Sequence, residues 1–415
     1  MFSLFLSTSF AVAAETWPQQ NGPQSNFTPL AFDGEVLDDP SGAKQVWLSE
    51  TKDLGYAKGS VSGYLANLAR WPGHPGSASA PIIADGKVFV STFRPSGEAW
   101  AEQQPQYRKW LGGAPVKPFT AEEKARTKRN LRILADDLLV AIDLNDGKTS
   151  WVAAEEGAGL NRYMGKRQGY NVSPAYHDGK VFSLGTMGVL RAYRSSDGER
   201  LWEKETAVAH TAATEAKKRA LESKALTGGL GWNSSLTVAD GVLIVPLFAG
   251  REDLGLRGVS PADGATLWEL ADVCSRHATP ATWSHGGRQY VLTATVNGEL
   301  RLIDPRNGDT CWTVDGLGEN HFSLMPSEEG VIVNIGSEVR RDGSPKREDF
   351  FGRIGLYKLS PAGAEFVWGI AAHPPLFHST WMDSCARRFL AVANGRVYYY
   401  NNGADKGERR LLVLE

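Results

Sequence analysis

The sequence predicts an all-β fold, a β-propeller built from four-stranded antiparallel blades. Two repeated phrases and the composition support this prediction. One phrase is a strand, an Asp-Gly or Asn-Gly turn and a second strand ending on tryptophan, as in "LRLIDPRNGDTCW" at residues 300–312. The other is a short hairpin around a similar turn, as in "SAPIIADGKVFV" at residues 79–90. The 415 residues also include 45 glycines and 13 tryptophans, a combination typical of turn-rich all-β proteins.

Joined end to end, the two phrases form a unit of four strands. Trp268 and Trp312 close successive units 44 residues apart, which is the period of a propeller blade. Such a unit has two apolar faces and buries both only by stacking radially against its neighbours. We expect the closing indole to lie on the outermost strand and to bury about 150–250 Å² against the next blade. The closing tryptophans are Trp47, Trp151, Trp202, Trp268, Trp312 and Trp368.

The two ends of the repeat predict how the ring closes. Residues 409–415, "RRLLVLE", are a third strand without a fourth, and residues 42–49, "GAKQVWLS", are a fourth strand without the first three. We therefore expect the N-terminal strand to complete the last blade, which leaves no exposed sheet edge. This count gives six blades. Seven remains open, because a degenerate blade would fit within the first insertion.

The chain divides into a short leader, an arm and the propeller. The leader has an apolar run followed by Ala-Val-Ala-Ala, the pattern that a signal peptidase cleaves, and no later run is long enough to span a membrane. The predicted segments are a signal peptide at 1–14, an N-terminal arm at 15–41 and a propeller at 42–415, with insertions at 93–136, 205–230 and 337–353. The first two insertions contain amphipathic helix patterns, and the third is a charged hairpin tip.

Net charge limits the partners that we expect, and the cysteine pattern limits the roles of the thiols. A net charge of −2 gives no bulk attraction to nucleic acid, so we expect other envelope proteins or a small polar ligand as partners. Cys274, Cys311 and Cys385 contain no CxxC or haem-attachment pattern, and we expect buried structural thiols.

Polar residues recur at one register of the first strands. Each first strand has a small or hydroxyl reference residue: Ala80, Ser173, Ser235, Thr279, Ser323 and Thr380. Two residues earlier, five of the six strands carry Asn171, Asn233, His277, His321 and His378, and the first strand carries Ala78 instead. Because first strands line a propeller channel, these side chains either hydrogen-bond within and between blades or bind a small polar ligand at one mouth. His277, His321 and His378 are also candidate metal ligands.

The repeat tail, a strand followed by Asp/Asn-Gly and tryptophan, resembles the quinoprotein-type (PQQ-like) β-propeller repeat. The start "TWPQQNGPQSNF" resembles exported PQQ-like repeat proteins of planctomycetes, and the chain is distantly similar to the outer-membrane assembly lipoprotein propeller. Dehydrogenases of this repeat class carry an adjacent cysteine pair, a channel Asp and a calcium site. The resemblance would imply a dehydrogenase only if these features were present. The cysteine pair is absent here, and the lipobox cysteine of the assembly lipoprotein is absent too. No catalytic residue is carried over.

These observations favour an exported, non-catalytic binding or scaffold propeller of the cell envelope, with no predicted cofactor. One alternative is an oxidoreductase that uses PQQ or a divalent metal in the channel. Another is carbohydrate binding through the loop tryptophans Trp71, Trp100 and Trp110.

Overall fold

A computed structural model gives the fold. It describes residues 16–25, 44–52, 54, 79–95, 132–162, 172–185, 188–205, 234–248, 254–271, 273, 278–295, 297–317, 323–335, 353–371, 390–393, 396–401 and 410–414. Every regular element in these ranges is a β-strand, and the strands form six antiparallel sheets. The all-β prediction is confirmed for this part of the chain. The described ranges contain no helix long and apolar enough to cross a bilayer.

The sheets follow one another along the chain. Sheet 1 contains β1 (Ile82–Ala84), β2 (Lys87–Pro95), β3 (Arg132–Asp143) and β4 (Thr149–Arg162). Sheet 2 contains β5 (Ala175–His177), β6 (Lys180–Leu184), β7 (Val189–Arg194) and β8 (Arg200–Glu205). Sheet 3 contains β9 (Thr237–Ala239), β10 (Val242–Phe248), β11 (Leu254–Val259) and β12 (Thr266–Ala271). Sheet 4 contains β13 (Ala281–His285), β14 (Arg288–Ala294), β15 (Leu300–Ile303) and β16 (Thr310–Val314).

The last two sheets have three described strands each. Sheet 5 contains β17 (Val331–Asn334), β18 (Arg353–Ser360) and β19 (Gly363–Ala371), and sheet 6 contains β20 (Leu390–Ala393), β21 (Arg396–Asn401) and β22 (Arg410–Leu414). In every sheet each strand pairs with the next one along the chain. First strands of neighbouring sheets also contact one another, as β1, β5, β9 and β13 do in turn. This is the arrangement of strands around a propeller channel.

The Asp-Gly phrases form the tight hairpins that the sequence predicts. Asp85, Asp178 and Asp240 have φ angles of 49°, 45° and 47°, and the glycine after each also has a positive φ angle. Two consecutive positive φ angles define a type I′ turn, whose twist matches that of the flanking strands.

The hydrophobic core lies between sheets rather than within one sheet. Phe89 of sheet 1 packs in a cluster with Val181 of sheet 2, and Phe182 of sheet 2 packs with Leu243 of sheet 3. A further cluster joins sheets 4 and 5 through Leu292 and Val333. Each sheet therefore depends on its neighbours to bury its faces.

Two strands of sheet 1 are longer than predicted, so the first insertion is shorter than the predicted segment 93–136. Phe93 pairs with Asp137, and Pro95 pairs with Ala135, so β2 and β3 continue into both ends of the segment 93–136. The helix predicted from "TAEEKARTKRNLRILADD", residues 120–137, is wrong for residues 132–137, which lie in β3, and its residues 120–131 lie outside the described residues. Pairing with β2 and β4 overrides the local helix propensity there.

The N-terminal segment also differs from the prediction that residues 42–49 form the last strand of the ring. Residues 44–49 lie outside the strands, and sheet 6 is described as β20, β21 and β22, so pairing with 409–415 is not observed. Sheet 1 holds this segment instead. Glu50 N donates to the Gly147 carbonyl oxygen at 2.9 Å, and the Thr51 and Thr149 hydroxyl groups lie 2.5 Å apart.

The Cys311 thiol is free and exposed, which corrects the expectation of a buried thiol. Its strand β16 is the outermost strand of sheet 4, and all five of its residues are exposed or half-buried. Cys274, Cys385, the leader 1–14 and the insertion residues 206–230 and 337–352 lie outside the described residues.

Candidate functional site

One hydrogen bond links each first strand to the next at the reference register. The amide of Ala80 donates to Ser173 Oγ at 2.7 Å, and the amide of Ser173 donates to Ser235 Oγ at 2.9 Å. The amide of Ser235 donates to Thr279 Oγ1 at 2.9 Å, and the amide of Thr279 donates to Ser323 Oγ at 3.1 Å. We call the hydroxyl groups of Ser173, Ser235, Thr279 and Ser323 the hydroxyl belt.

The hydroxyl belt explains why small hydroxyl residues occupy this register. Each reference residue precedes its strand, so its amide has no partner in the sheet ladder. Ser173 and Ser235 are fully buried, and a buried amide without an acceptor is costly. The next sheet supplies that acceptor, and the belt thereby joins five consecutive sheets.

The N-terminal arm is described over residues 16–25, and this part, called the arm below, crosses the first strands. Trp17 pairs with Ile83 of β1 through both main-chain hydrogen bonds, at 2.7 and 2.9 Å. The Pro18 carbonyl oxygen accepts a 2.8 Å hydrogen bond from the Tyr176 amide of β5. The arm therefore begins with a single antiparallel bridge to the edge of sheet 1 and continues onto sheet 2.

Side chains of the arm make the next two contacts. Gln19 Oε1 accepts from the Val238 amide of β9 at 2.9 Å. Ser25 Oγ accepts from the Thr282 amide of β13 at 2.9 Å and lies 2.9 Å from Thr282 Oγ1. Gln19 Nε2 donates to Ser25 Oγ at 3.2 Å, so the two arm side chains also support each other.

The four amides occupy one register. Each lies three residues after the reference residue of its own strand, and we call them the donor row: Ile83, Tyr176, Val238 and Thr282. They point away from the second strand of their sheet, at the edge where an N–H group lacks a ladder partner. In sheet 5 the same position is Pro326, which is buried and has no N–H to donate. The donor row thus ends at sheet 4.

The arm is buried although it is polar. Gln19 is 3 % exposed, Asn21 3 % and Ser25 1 %, whereas residues of these types usually lie at the surface. Gln20 Oε1 accepts a 2.7 Å hydrogen bond from Thr279 Oγ1, which connects the arm to the hydroxyl belt.

The arm turns back on itself between these contacts. The Gly22 amide donates to the Gln19 carbonyl oxygen at 3.0 Å, and the Ser25 amide donates to the Gly22 carbonyl oxygen at 3.2 Å. Gly22 has a φ of 80° and lies against the Trp17 indole, where a Cβ atom would come within 3.0 Å of the ring. A glycine is therefore required at this position.

Tyr176 ties the donor row to the hairpin turns. Its hydroxyl group donates to Asp85 Oδ1 at 2.8 Å, and the Ser195 hydroxyl group donates to Asp85 Oδ2 at 2.5 Å. Burial raises the pKa of the Tyr176 phenol, and the hydrogen bond to Asp85 raises it further. The phenol therefore stays protonated as a donor between sheets 1 and 2.

A buried ion pair also joins these sheets. Arg191 Nη1 lies 3.2 Å from Asp137 Oδ2, and its Nε lies 2.7 Å from Glu203 Oε2. Burial alone would lower the pKa of the Arg191 guanidinium, but Asp137, Tyr193 and Glu203 together outweigh this effect and raise the pKa. The guanidinium therefore stays charged, and removing Asp137 would leave a buried charge without one of its partners.

The predicted channel residues are not among the described ones. Asn171, Asn233, His277, His321 and His378 all lie outside the described residues, as do Trp71, Trp100 and Trp110. The ligand and metal hypotheses built on them therefore stay predictions. Within the ranges that the structure describes, no three His, Cys, Asp or Glu side chains are grouped to hold a metal ion.

The arm residues were not predicted as part of a site. Gln19, Gln20 and Ser25 lie in the phrase that carries the family resemblance, but that phrase indicates no contacts, and theirs are made with distant strands. One signal was available: a first strand is a sheet edge, so its outward N–H groups need acceptors from elsewhere in the chain.

The closing indoles of Trp151, Trp202 and Trp268 each donate a hydrogen bond to a main-chain carbonyl oxygen of the next sheet. Together, the repeated hairpins, these docked tryptophans and the hydroxyl belt define a β-propeller of the PQQ-like repeat class. The chain belongs to the family described as outer membrane protein assembly factor BamB, which matches residues 35–226 and 135–321.

A curated relative and several solved structures are similar to the chain. The outer membrane protein assembly factor BamB of Shewanella oneidensis is 24 % identical over 226 residues, covering 46 % of this chain and 55 % of the relative. The chain thus matches about half the length of this relative. BamB from Moraxella catarrhalis has a TM-score of 0.35 at 14 % identity, covering 65 % of this chain and 78 % of that one. A europium-containing methanol dehydrogenase has a TM-score of 0.45 at 13 % identity, covering 93 % and 82 %.

Proposed function

We propose that the protein is an exported, non-catalytic scaffold propeller of the cell envelope that assists the assembly of outer-membrane proteins. Membership of the assembly-factor family supports this proposal. The relative from Shewanella oneidensis bears the same functional name. The partners we propose are other envelope proteins.

One observation supports the proposal that the protein is not catalytic: the arm occupies the donor row. A small-molecule site needs a concavity in which a few polar groups converge on the ligand. Here the four amides of the donor row, from Ile83 to Thr282, are already used by residues 17–25. We therefore propose no resident cofactor, since a quinone at this level would compete with the arm for every donor.

The predicted polar slot precedes the donor row by five residues in the sequence of each first-strand phrase. If His277, His321 and His378 bind a metal or PQQ, we expect the ligand at a level of the channel that the arm does not occupy. Purified protein should then contain stoichiometric metal, or oxidise an alcohol with added PQQ and calcium, and either result would contradict the non-catalytic proposal.

We also propose that the six sheets are the blades of one six-bladed ring. The docking of Trp47 on sheet 1 supports this, because Trp47 there takes the role that a preceding blade's tryptophan takes elsewhere.

Deletion of the gene in its own host tests the assembly role. We expect lower amounts of integral outer-membrane proteins, measured by quantitative mass spectrometry of the membrane fraction. Re-expression of the wild type should restore them, and the protein should be recovered from the periplasm with its mature N-terminus at Glu15.

The control is the triple variant His277→Ala, His321→Ala and His378→Ala. A scaffold should tolerate these changes and restore the same proteins. Unchanged outer-membrane proteins after deletion would refute the assembly role, and rescue by the wild type but not by a folded triple variant would favour the metal-dependent alternative.

A further inference from the structure

The donor row is formed without help from the arm. Each of its four strands pairs with the second strand of its own sheet through a local hairpin, as Ile83 does with Val88 and Tyr176 does with Val181. The row is therefore a feature of the propeller, and the arm is what fills it. Four edge amides in a row attract any chain that offers acceptors at the same spacing.

We propose that the donor row and Thr279 form a peptide-binding site and that residues 17–25 are its resident ligand, able to leave and rebind as a peptide. The ligand class is an extended segment with two consecutive main-chain carbonyl groups, followed by a glutamine side chain and, after a turn, a hydroxyl group. Addition of an extended peptide to sheet edges is a common mode of recognition. This inference goes beyond the scaffold role, and its failure would leave that role untouched.

Two contacts give affinity with little dependence on sequence. Trp17 and Pro18 use main-chain carbonyl groups to accept from β1 and β5. Any extended peptide can offer these acceptors. A proline at the second position suits the site, because Pro18 accepts a hydrogen bond there and its missing N–H is not needed for that contact.

The remaining contacts give selectivity. The Gln19 amide accepts from Val238 through Oε1 and donates to Ser25 through Nε2, and the side chain is 3 % exposed. A glutamate would keep the acceptor, lose the donor and bury a charge without a cation beside it among these contacts. The site should therefore distinguish glutamine from glutamate strongly.

Pro326 limits the length of the site. It occupies the donor-row position in sheet 5, and without an N–H group it cannot extend the row. The ligand is thus a segment that crosses four sheets, which is the extent of the arm from Trp17 to Ser25.

The test uses the full-length chain with a protease site inserted between Phe32 and Asp33. A tethered ligand has an effective concentration on the order of mM, so cleavage is needed before a free peptide can compete. The probe is a fluorescent peptide of residues 16–27, "TWPQQNGPQSNF", followed by anisotropy and native mass spectrometry. We expect saturable exchange with one peptide bound per protein.

Two variant peptides test selectivity. Gln19→Glu should bind at least ten times more weakly, whereas Thr16→Glu adds the same charge at an exposed position and should bind like the wild-type peptide. Absence of exchange, or equal binding of the two variant peptides, would overturn the proposal.

The inserted protease site could prevent folding, so a second protein without that site tests the same proposal. The uncut full-length Gln19→Glu variant carries a weakened arm and should bind the wild-type peptide at least ten times more tightly than the wild-type chain does. Near-UV circular dichroism checks its fold. Equal binding of the peptide by the Gln19→Glu variant and the wild type would refute the proposal. Loss of native tertiary structure in both the cleaved protein and the Gln19→Glu variant would also refute it, since the arm would then be a part of the fold rather than an exchangeable ligand.

Discussion

The indole of Trp47 lies against Gly147, and its Nε1 donates a 2.9 Å hydrogen bond to the carbonyl oxygen of Leu144, three residues before that glycine. The same relationship joins successive sheets. It recurs for Trp151 with Gly198 and Ser195, Trp202 with Gly264 and Pro261, and Trp268 with Gly308 and Pro305. Glycine is needed beneath each indole because its φ is positive and a Cβ atom would enter the ring.

Trp47 should therefore stabilise sheet 1 as the other docked tryptophans stabilise theirs. We expect Trp47→Ala to lower the free energy of unfolding by about 3 kcal/mol, from lost burial and a lost hydrogen bond. Val46→Ala is the matched control, since Val46 is 86 % exposed and should change stability by less than about 0.5 kcal/mol. Urea unfolding measures both, and equal effects would show that the Trp47 contact contributes nothing.

The glycine side of this contact gives a second prediction. Gly179 and Gly198 have φ angles of 72° and 78°, but a Cβ atom meets nothing within 4 Å at Gly179 and lies 2.6 Å from the Trp151 ring at Gly198. Gly179→Ala should cost about 1–2 kcal/mol, the backbone term alone. Gly198→Ala should cost clearly more and alter tryptophan fluorescence, because the indole must move. Similar losses in thermal unfolding would contradict the steric argument.

The sheets and the docked tryptophans follow from short-range sequence patterns. Strand alternation, Asp-Gly turns and a tryptophan four residues after the second glycine are visible within about 40 residues of chain. The reference register was also visible, because Ser173, Ser235 and Thr279 keep a constant place in their strands.

The arm contacts could not be found in this way. Ser25 and Thr282 are 257 residues apart, and nothing in either local sequence selects the other. Similarly, the start of β3 has a helix-like pattern locally, and only its pairing with Pro95 and Arg94 reveals a strand. Long-range pairing decides such segments.

The hydroxyl belt predicts a specific cost for removing one hydroxyl group. Thr279→Val keeps the shape of the side chain but leaves the Ser235 amide and Gln20 Oε1 without their partner. We expect a loss of about 2 kcal/mol in unfolding free energy. Thr279→Ser keeps the hydroxyl group and is the control. Hydrogen exchange of the Ser235 amide should accelerate in the valine variant only, and unchanged protection would refute the role of the belt.

Asp304 should make stability depend on pH. Burial alone would raise the pKa of its carboxyl group, but hydrogen bonds from the Arg306 side chain and amide and from Arg288 outweigh it and lower the pKa to about 2. Because the pKa is lower in the folded state than the unfolded value of 3.8, the carboxylate stabilises the fold above pH 4, and this contribution is lost as pH falls towards 2. Asp304→Asn should therefore cost about 1–2 kcal/mol at pH 7 and much less near pH 2.5. Urea unfolding of both proteins across this range measures the difference, and a cost that is the same at pH 7 and pH 2.5 would show that the charge of Asp304 does not stabilise the turn beneath Trp268.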